Sequence, residues 1–294
     1  MAGLDQTVTV TSNDAADGSW TMALRDAPAA LGGGFSRYCG YEEHFAGGIR
    51  RREVPHGRVV LILSFDGKVD IPELSHSPTP SPGRMESFVA GLHGGYALVD
   101  SSHQRGIQLD LSPLAAYRVL GLPMSELANQ VVGLDDVGGG GRGRDVRALA
   151  DRVGAAASWE ERFALLDEVL LRWADDGPVP DPAVAWAWAQ MAHSGGRVEV
   201  GHLADEIGWS RRHFIGRFRE QVGLTPKLTA QVLRFTRACD LLQERRVGTT
   251  ITDVAMACGY ADHSHLTREF HHLAGLAPSA WLASLGTDTV GSFE

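Results

Sequence analysis

Between Trp20 and about Leu111 the apolar residues come in short runs punctuated by turn formers: residues 59–65, then Asp66-Gly67, then 68–71, 87–92, 95–100 and 106–111. Short apolar runs bounded by Gly, Asp and Ser predict strands, and this succession predicts a small antiparallel barrel or sandwich. Residues 75–84 (SHSPTPSPGR) hold too much Pro and Ser for regular structure. After Asp110 the period lengthens. Ser112-Pro113 opens a helix, with Pro at the first helical position where its missing N–H costs nothing. Residues 124–132 read as another helix, 138–144 (GGGGRGR) as a flexible linker, and 145–174 as helix again. The best boundary is 175–182 (DDGPVPDP), beyond which everything to Leu285 reads as helices with short turns. The expected organisation is a polar, frayed stretch at 1–20, a β-rich domain with helices at 21–174, a linker at 175–182, an all-α domain at 183–285 and a flexible tail at 286–294. The fold class is α+β.

The strongest signal is an internal repeat. Leu203, Ala204, Ile207 and Gly208, followed by Phe214, Phe218, Gly223, Leu224 and Pro226, recur as Val254, Ala255, Cys258 and Gly259, followed by Leu266, Phe270, Gly275, Leu276 and Pro278. Each copy reads as a short amphipathic helix closed at a glycine able to adopt left-handed backbone. Ser210 or Asp262 then caps a second helix, which buries an i, i+4 pair and ends at another glycine. That is a helix-turn-helix unit, present twice. Between the copies Leu228, Val232, Phe235, Cys239 and Leu242 fall at helical spacing. A connector of about 18 residues spans about 27 Å, enough to hold two reading helices in successive major grooves, about 34 Å apart.

Charge alters this picture only when divided. The chain's 294 residues carry a net charge of −9, which taken whole speaks against nucleic acid. From Asp181 to Leu285, however, 11 basic residues stand against 10 acidic ones, so the excess acid lies outside the repeat. Only Lys68 and Lys227 are lysines. Biased codon usage accounts for that as well as function does, but planar guanidinium forks suit phosphates and guanine edges.

On these residues the segment from Asp181 to Leu285 resembles the DNA-binding part of the AraC/XylS family of bacterial transcription regulators, with residues 184–191 (VAWAWAQM) similar to its opening helix. The resemblance implies base reading by Arg212, Ile215 and Gly216 in the first unit and by His263, Ser264, Thr267 and Arg268 in the second. Arg211, Arg219, Arg234 and Arg237 are expected to position phosphates rather than read bases. Two departures stand out: Gly216 occupies a place where the family often has a basic residue, and His263, Ser264 and His265 open the second reading helix. The resemblance further implies a cupin-like sensor or dimerisation domain before the repeat. A small effector would contact Tyr38, Tyr41, Glu42, His44, Phe45, His93 or Tyr96, each of which is equally at home as an ordinary core or rim residue. The implied partners are double-stranded DNA, a small-molecule effector, RNA polymerase and a second copy of the chain.

Other classes fare worse. The longest apolar run, 59–63, is far short of the roughly 20 residues of a membrane span. The first 20 residues carry no Lys or Arg and no apolar block, so they do not read as a signal peptide. Cys39, Cys239 and Cys258 lack CxxC pairing, which argues against a disulfide framework or zinc module. A reducing cytoplasm fits. His263 and His265 cannot face one ion from a helix, no HxH precedes residue 263, and the Gly-rich 138–144 lacks the Lys-Ser/Thr of a phosphate loop. No cofactor is expected. The rival reading is an enzyme with its catalytic domain in residues 1–175, targeted by the repeat. It needs a reactive Cys, a metal cluster or a GxSxG elbow, and Cys39 stands in Tyr38-Cys39-Gly40 without companions.

Overall fold

The computed structural model describes residues 7–15, 18–137, 141–244 and 249–285, with backbone alone for 141–144. The N-terminal half is an antiparallel sheet built from β1 (Thr9–Ala15), β2 (Gly18–Arg25), β3 (Phe35–Glu53), β4 (Val59–Gly67), β5 (Val69–Leu74), β6 (Gly83–Met85), β7 (Phe88–Ala90), β8 (Ala97–Leu111) and β9 (Val131–Gly133). The order is β1-β2-β3-β8-β4-β7-β9, with β5 joined to β8 and β6. The long β8 lies against β3 along one edge and divides its other edge between β4 and β5. Among the described residues no pairing joins the two ends of this path, so its hydrogen-bonded ladder is open.

Period-two alternation sorts the sheet's two faces. Ala23, Tyr38, Val59, Leu61, Leu63, Ile107, Leu109 and Leu111 are buried in a cluster shared with the helices. Ile62, Val69, Ile71 and Phe88 form a separate apolar group. The helices of this half are α1 (Pro113–Leu120), α2 (Gly141–Ala155) and α3 (Trp159–Asp176). Ser112 Oγ accepts from the Ala115 N–H at 3.2 Å and so caps α1 as its sequence predicts, and Ser158 does the same for α3 through Glu161.

Several expectations are corrected here. Residues 9–15 and 18–20, expected to fray, form β1 and the start of β2, held by seven residue pairs from Thr9↔Leu24 to Ala15↔Gly18. Residues 1–6, 16–17, 138–140 and 286–294 lie outside the described residues, so the expected tail and part of the linker do too. The rest of that linker is helix, since α2 begins at Gly141. The helix expected at 124–132 is a single 3-10 turn, Met124–Glu126, followed by β9. Asn129 there has a positive φ of 57°, which ends helical continuation, and the β-branched Val131 and Val132 pair with β7 instead. The helix expected at 145–174 is two helices. Asp66-Gly67 turns the chain without making a hairpin, since β4 and β5 both pair with β8.

The C-terminal half follows its sequence closely: α4 (Pro182–His193), α5 (Val200–Ile207), α6 (Arg211–Val222), α7 (Pro226–Gln243), α8 (Ile251–Ala257), α9 (His263–Ala274) and α10 (Pro278–Leu285). The apolar cluster runs without a break from the sheet through these helices, so the linker at 175–182 separates two stretches of chain, not two isolated cores.

Candidate nucleic-acid interface

Each helix-turn-helix unit is set by local chemistry. Gly208, at φ 76°, closes α5, and its N–H donates to Asp205 O at 3.1 Å. Ser210 Oγ then accepts from the His213 N–H at 3.3 Å to start α6, and Asp262 Oδ1 accepts from His265 at 2.7 Å to start α9. Thr225 caps the 18-residue α7 through Leu228. Phe214 and Phe218 pack with ring centres 5.6 Å apart beneath α6, while Phe270 packs on Phe235 of α7 at 4.7 Å beneath α9.

Burying those faces leaves the opposite ones outward. Arg211, Arg212, Ile215, Gly216 and Arg219 of α6 are all exposed, as are His263, Ser264, Arg268 and His271 of α9. Among the described residues Arg211, Arg212 and Arg219 form no ion pair, whereas Arg217 is engaged by Glu220 at 2.6 Å and Asp181 at 3.5 Å. Arg268 Nε donates to Ser264 O of its own helix at 3.3 Å. A shallow depression of about 360 Å³ lies beside Gly216, lined by Ser210, Arg212, His213, Gly216 and Arg217.

Two of the expected contacts are corrected. Arg234, expected to meet phosphate, points inward: its Nη2 donates to Glu269 Oε2 at 2.9 Å and its guanidinium stacks over Tyr260 at 5.0 Å. The hydroxyl of Thr267, expected to read a base, is buried with no hydrogen-bond partner among the described residues. Arg237 is exposed. His263 is exposed while His265 packs edge-on against Tyr260 at 5.2 Å, so the two histidines face different ways, as i and i+2 on a helix must.

The N-terminal half touches this region at the far ends of both reading helices. Gly223, after α6, lies against the Met124 backbone. After α9, Arg52 Nη1 donates to Ala274 O at 3.2 Å and its guanidinium lies over the Tyr96 ring at 4.2 Å. His76 and His272 stack at 4.6 Å. A Cβ on Gly94 would stand 3.0 Å from Leu228 of α7, and one on Gly57 would stand 2.6 Å from Leu233. These glycines let the sheet's loops rest on α7, a relationship that no motif in the chain announces.

The residues expected to hold an effector are not brought together. Tyr38 and Glu42 lie on the face of β3 turned to the helices: Tyr38 packs on Phe163 at 5.8 Å, and Glu42 receives Arg105 Nε at 2.6 Å. Tyr41 is buried on the other face, near Glu43 and Arg51, with Phe45 beneath the Arg51 guanidinium. His44 is exposed beside His103. Tyr96, at the contact with α9, donates to Glu73 at 2.5 Å. His93 sits near His56 with Nδ1 shut off from solvent and unpartnered; burial first, then His56, pushes its pKa down to about 4. A pair missed in the sequence is Arg25 and Asp167, joined at 2.5 Å between β2 and α3. Cys39, Cys239 and Cys258 are free and buried. Burial, followed by the carboxylates of Asp110 and Glu43, pushes the Cys39 thiol up to about 12.

A helix-turn-helix domain family matches residues 203–284. The chain is 31% identical over 130 residues to an uncharacterized HTH-type transcriptional regulator, YbfI, of Bacillus subtilis, which covers 42% of this chain and 46% of that one. It is 33% identical over 86 residues to the transcriptional activator RhaS of Shigella boydii, covering 26% and 30%. It spans less than half the length of these curated relatives. Among solved structures, the DNA-binding domain of AdpA in complex with a target DNA aligns at 26% identity over 37% of this chain and 97% of that one, with a TM-score of 0.34. ToxT from Vibrio cholerae aligns at 10% identity over 81% and 97%, with a TM-score of 0.44.

Proposed function

We propose that residues 203–284, which match a helix-turn-helix domain family, are the AraC-type DNA-binding part of a sequence-specific transcription regulator, cytoplasmic, whose N-terminal half takes a small effector. The observation that carries this is the disposition of α6 and α9. Both keep their aromatic faces buried, both present polar or cationic side chains outward near their N-terminal turns, and the N-terminal half meets Gly223 after α6 and Ala274 at the end of α9. α7, about 27 Å long at 1.5 Å per residue, is the spacer that would set the two helices in adjacent grooves. With the acid concentrated elsewhere, affinity rests on a few placed guanidinium groups rather than on bulk charge.

The rival reading as a DNA-targeted enzyme loses its best nucleophile, because the Cys39 thiol is buried and held far from ionisation. Selection of duplexes from a random pool by the full chain tests the proposal. It should yield a consensus of two half-sites about 10 base pairs apart. A pool that stays random after selection would contradict it.

A further inference from the structure

The two reading helices are unlike each other at corresponding positions. Where α9 has Ser264, Thr267 and Arg268, α6 has Arg212, Ile215 and Gly216. Four large hydrophobic side chains stand exposed among the described residues: Val10, Val179, Ile215 and Met256. Val10 lies on β1 and Val179 between α3 and α4; Met256 is on α8, which opens the second unit. Ile215 alone is on a reading helix, 42% exposed, with the unpaired Arg212 one turn before it and Arg219 one turn after.

Neither Ile215 nor Gly216 is explained by the helix they stand in. A β-branched residue is a mediocre helix former and glycine a poor one. A Cβ at residue 216 would meet nothing within 4 Å, so packing does not demand glycine there. Glycine leaves the depression beside Arg212 open and thins the helix next to Ile215. In a major groove the apolar group that a base edge offers is the C5-methyl of thymine. An isolated aliphatic side chain on a helix with guanidinium groups before and after it fits that methyl and gains nothing from phosphates.

We propose that Ile215 makes the first helix-turn-helix unit select a thymine, by packing against its C5-methyl beside a guanine read by Arg212, with Gly216 permitting the close approach. This rests on the reading of the chain as a DNA-binding protein. The two half-sites of the operator are then different sequences, since α9 carries its guanidinium one turn later and no exposed aliphatic group.

The test uses the full chain and the duplex obtained by selection. Each thymine is replaced singly by deoxyuridine, which removes the methyl and leaves the pairing edge intact. One substitution, in one half-site, should weaken binding by the wild-type chain about fourfold, the value of one buried methyl. Ile215→Ala should bind both duplexes alike, and Ile215→Val should keep most of the discrimination. Because residue 215 is on the surface, unchanged binding to substitutions in the other half-site verifies that the variant is folded. A flat scan with the wild-type chain, or discrimination that persists in Ile215→Ala, overturns the inference while leaving the function standing. Failure to select any consensus overturns both.

Discussion

Arg234 of α7 and Glu269 of α9 meet at 2.9 Å, the first with 18% of its side chain exposed and the second with 5%. Tyr260 Oη donates to the other oxygen of Glu269's carboxylate at 2.7 Å. Three elements, the connecting helix, the turn of the second unit and its reading helix, are therefore fixed by one buried carboxylate, and the pose of α9 depends on a residue that never reaches its surface.

Removing one partner strands the other. Arg234→Ala leaves Glu269 buried without a counter-charge, with the Tyr260 hydroxyl still donating to it, and should destabilise the protein by about 3 kcal/mol. The double variant Arg234→Ala, Glu269→Ala should lose less than the sum of the two single changes. Urea unfolding of the four proteins measures this. Additive losses would show that the pair is not coupled.

Gly275 follows α9 at φ 68°, and a Cβ there would stand 2.5 Å from Tyr96 Cε1 and 3.0 Å from Arg52 Nη1. Gly275→Ala should destabilise by more than the roughly 1–2 kcal/mol of left-handed backbone alone, and Tyr96→Ala in the same chain should recover part of the loss. An effect of Gly275→Ala unchanged by Tyr96→Ala would place the whole cost in the backbone, with none at the contact between the halves.

Acid should weaken the fold through His93. Burial pushes its pKa from the ordinary 6.5 down to about 4, with His56 adding to the shift. Between those values the unfolded chain holds a proton that the folded one lacks, so stability rises with pH across that window and falls as pH drops through it. His56 is pushed down too, by burial and by Arg58, with Asp110 opposing. Urea midpoints at pH 7, 6 and 5 should fall in that order, and less steeply in His93→Phe. Equal slopes in the two proteins would remove His93 from the account.

The three thiols should resist alkylation in the native protein, since burial raises the pKa of Cys39, Cys239 and Cys258 alike. Mass spectrometry after brief iodoacetamide treatment should find them unmodified until denaturant is added. Rapid native labelling of Cys39 would reopen the enzymatic reading.

What the chain reveals in advance follows from where its local rules are strong. In the C-terminal half α4, α6, α7, α8 and α9 each open on a capping side chain and several helices close on a glycine, and Ser210, Thr225, Asp262, Gly208 and Gly275 all behave as those rules require. The sheet half offers less. β3 runs for 19 residues through Gly40, Gly47 and Gly48 and a register shift between His44 and Ile49, so no unbroken alternation marks it. Val131 and Val132 take their strand from pairing with β7, a tertiary preference invisible locally. Tyr38 and Tyr41 are three residues apart, so period two places them on opposite faces, as the structure has them, and that spacing already argued against one shared pocket. The inward turn of Arg234 needed Glu269, a carboxylate just before Phe270 on a buried helix face, to be noticed as its partner.

The central claim is that α6 and α9 read DNA through their exposed faces. The most direct measurement is the affinity of the full chain, Arg212→Ala and Arg268→Ala for the selected duplex and for a scrambled one, across a salt series. The account predicts a wild-type preference for the selected duplex, a log–log salt slope of roughly −0.9 per neutralised phosphate, and a loss of about 1–3 kcal/mol of discrimination in each variant. Equal affinity for both duplexes, or variants indistinguishable from the wild type, would contradict it.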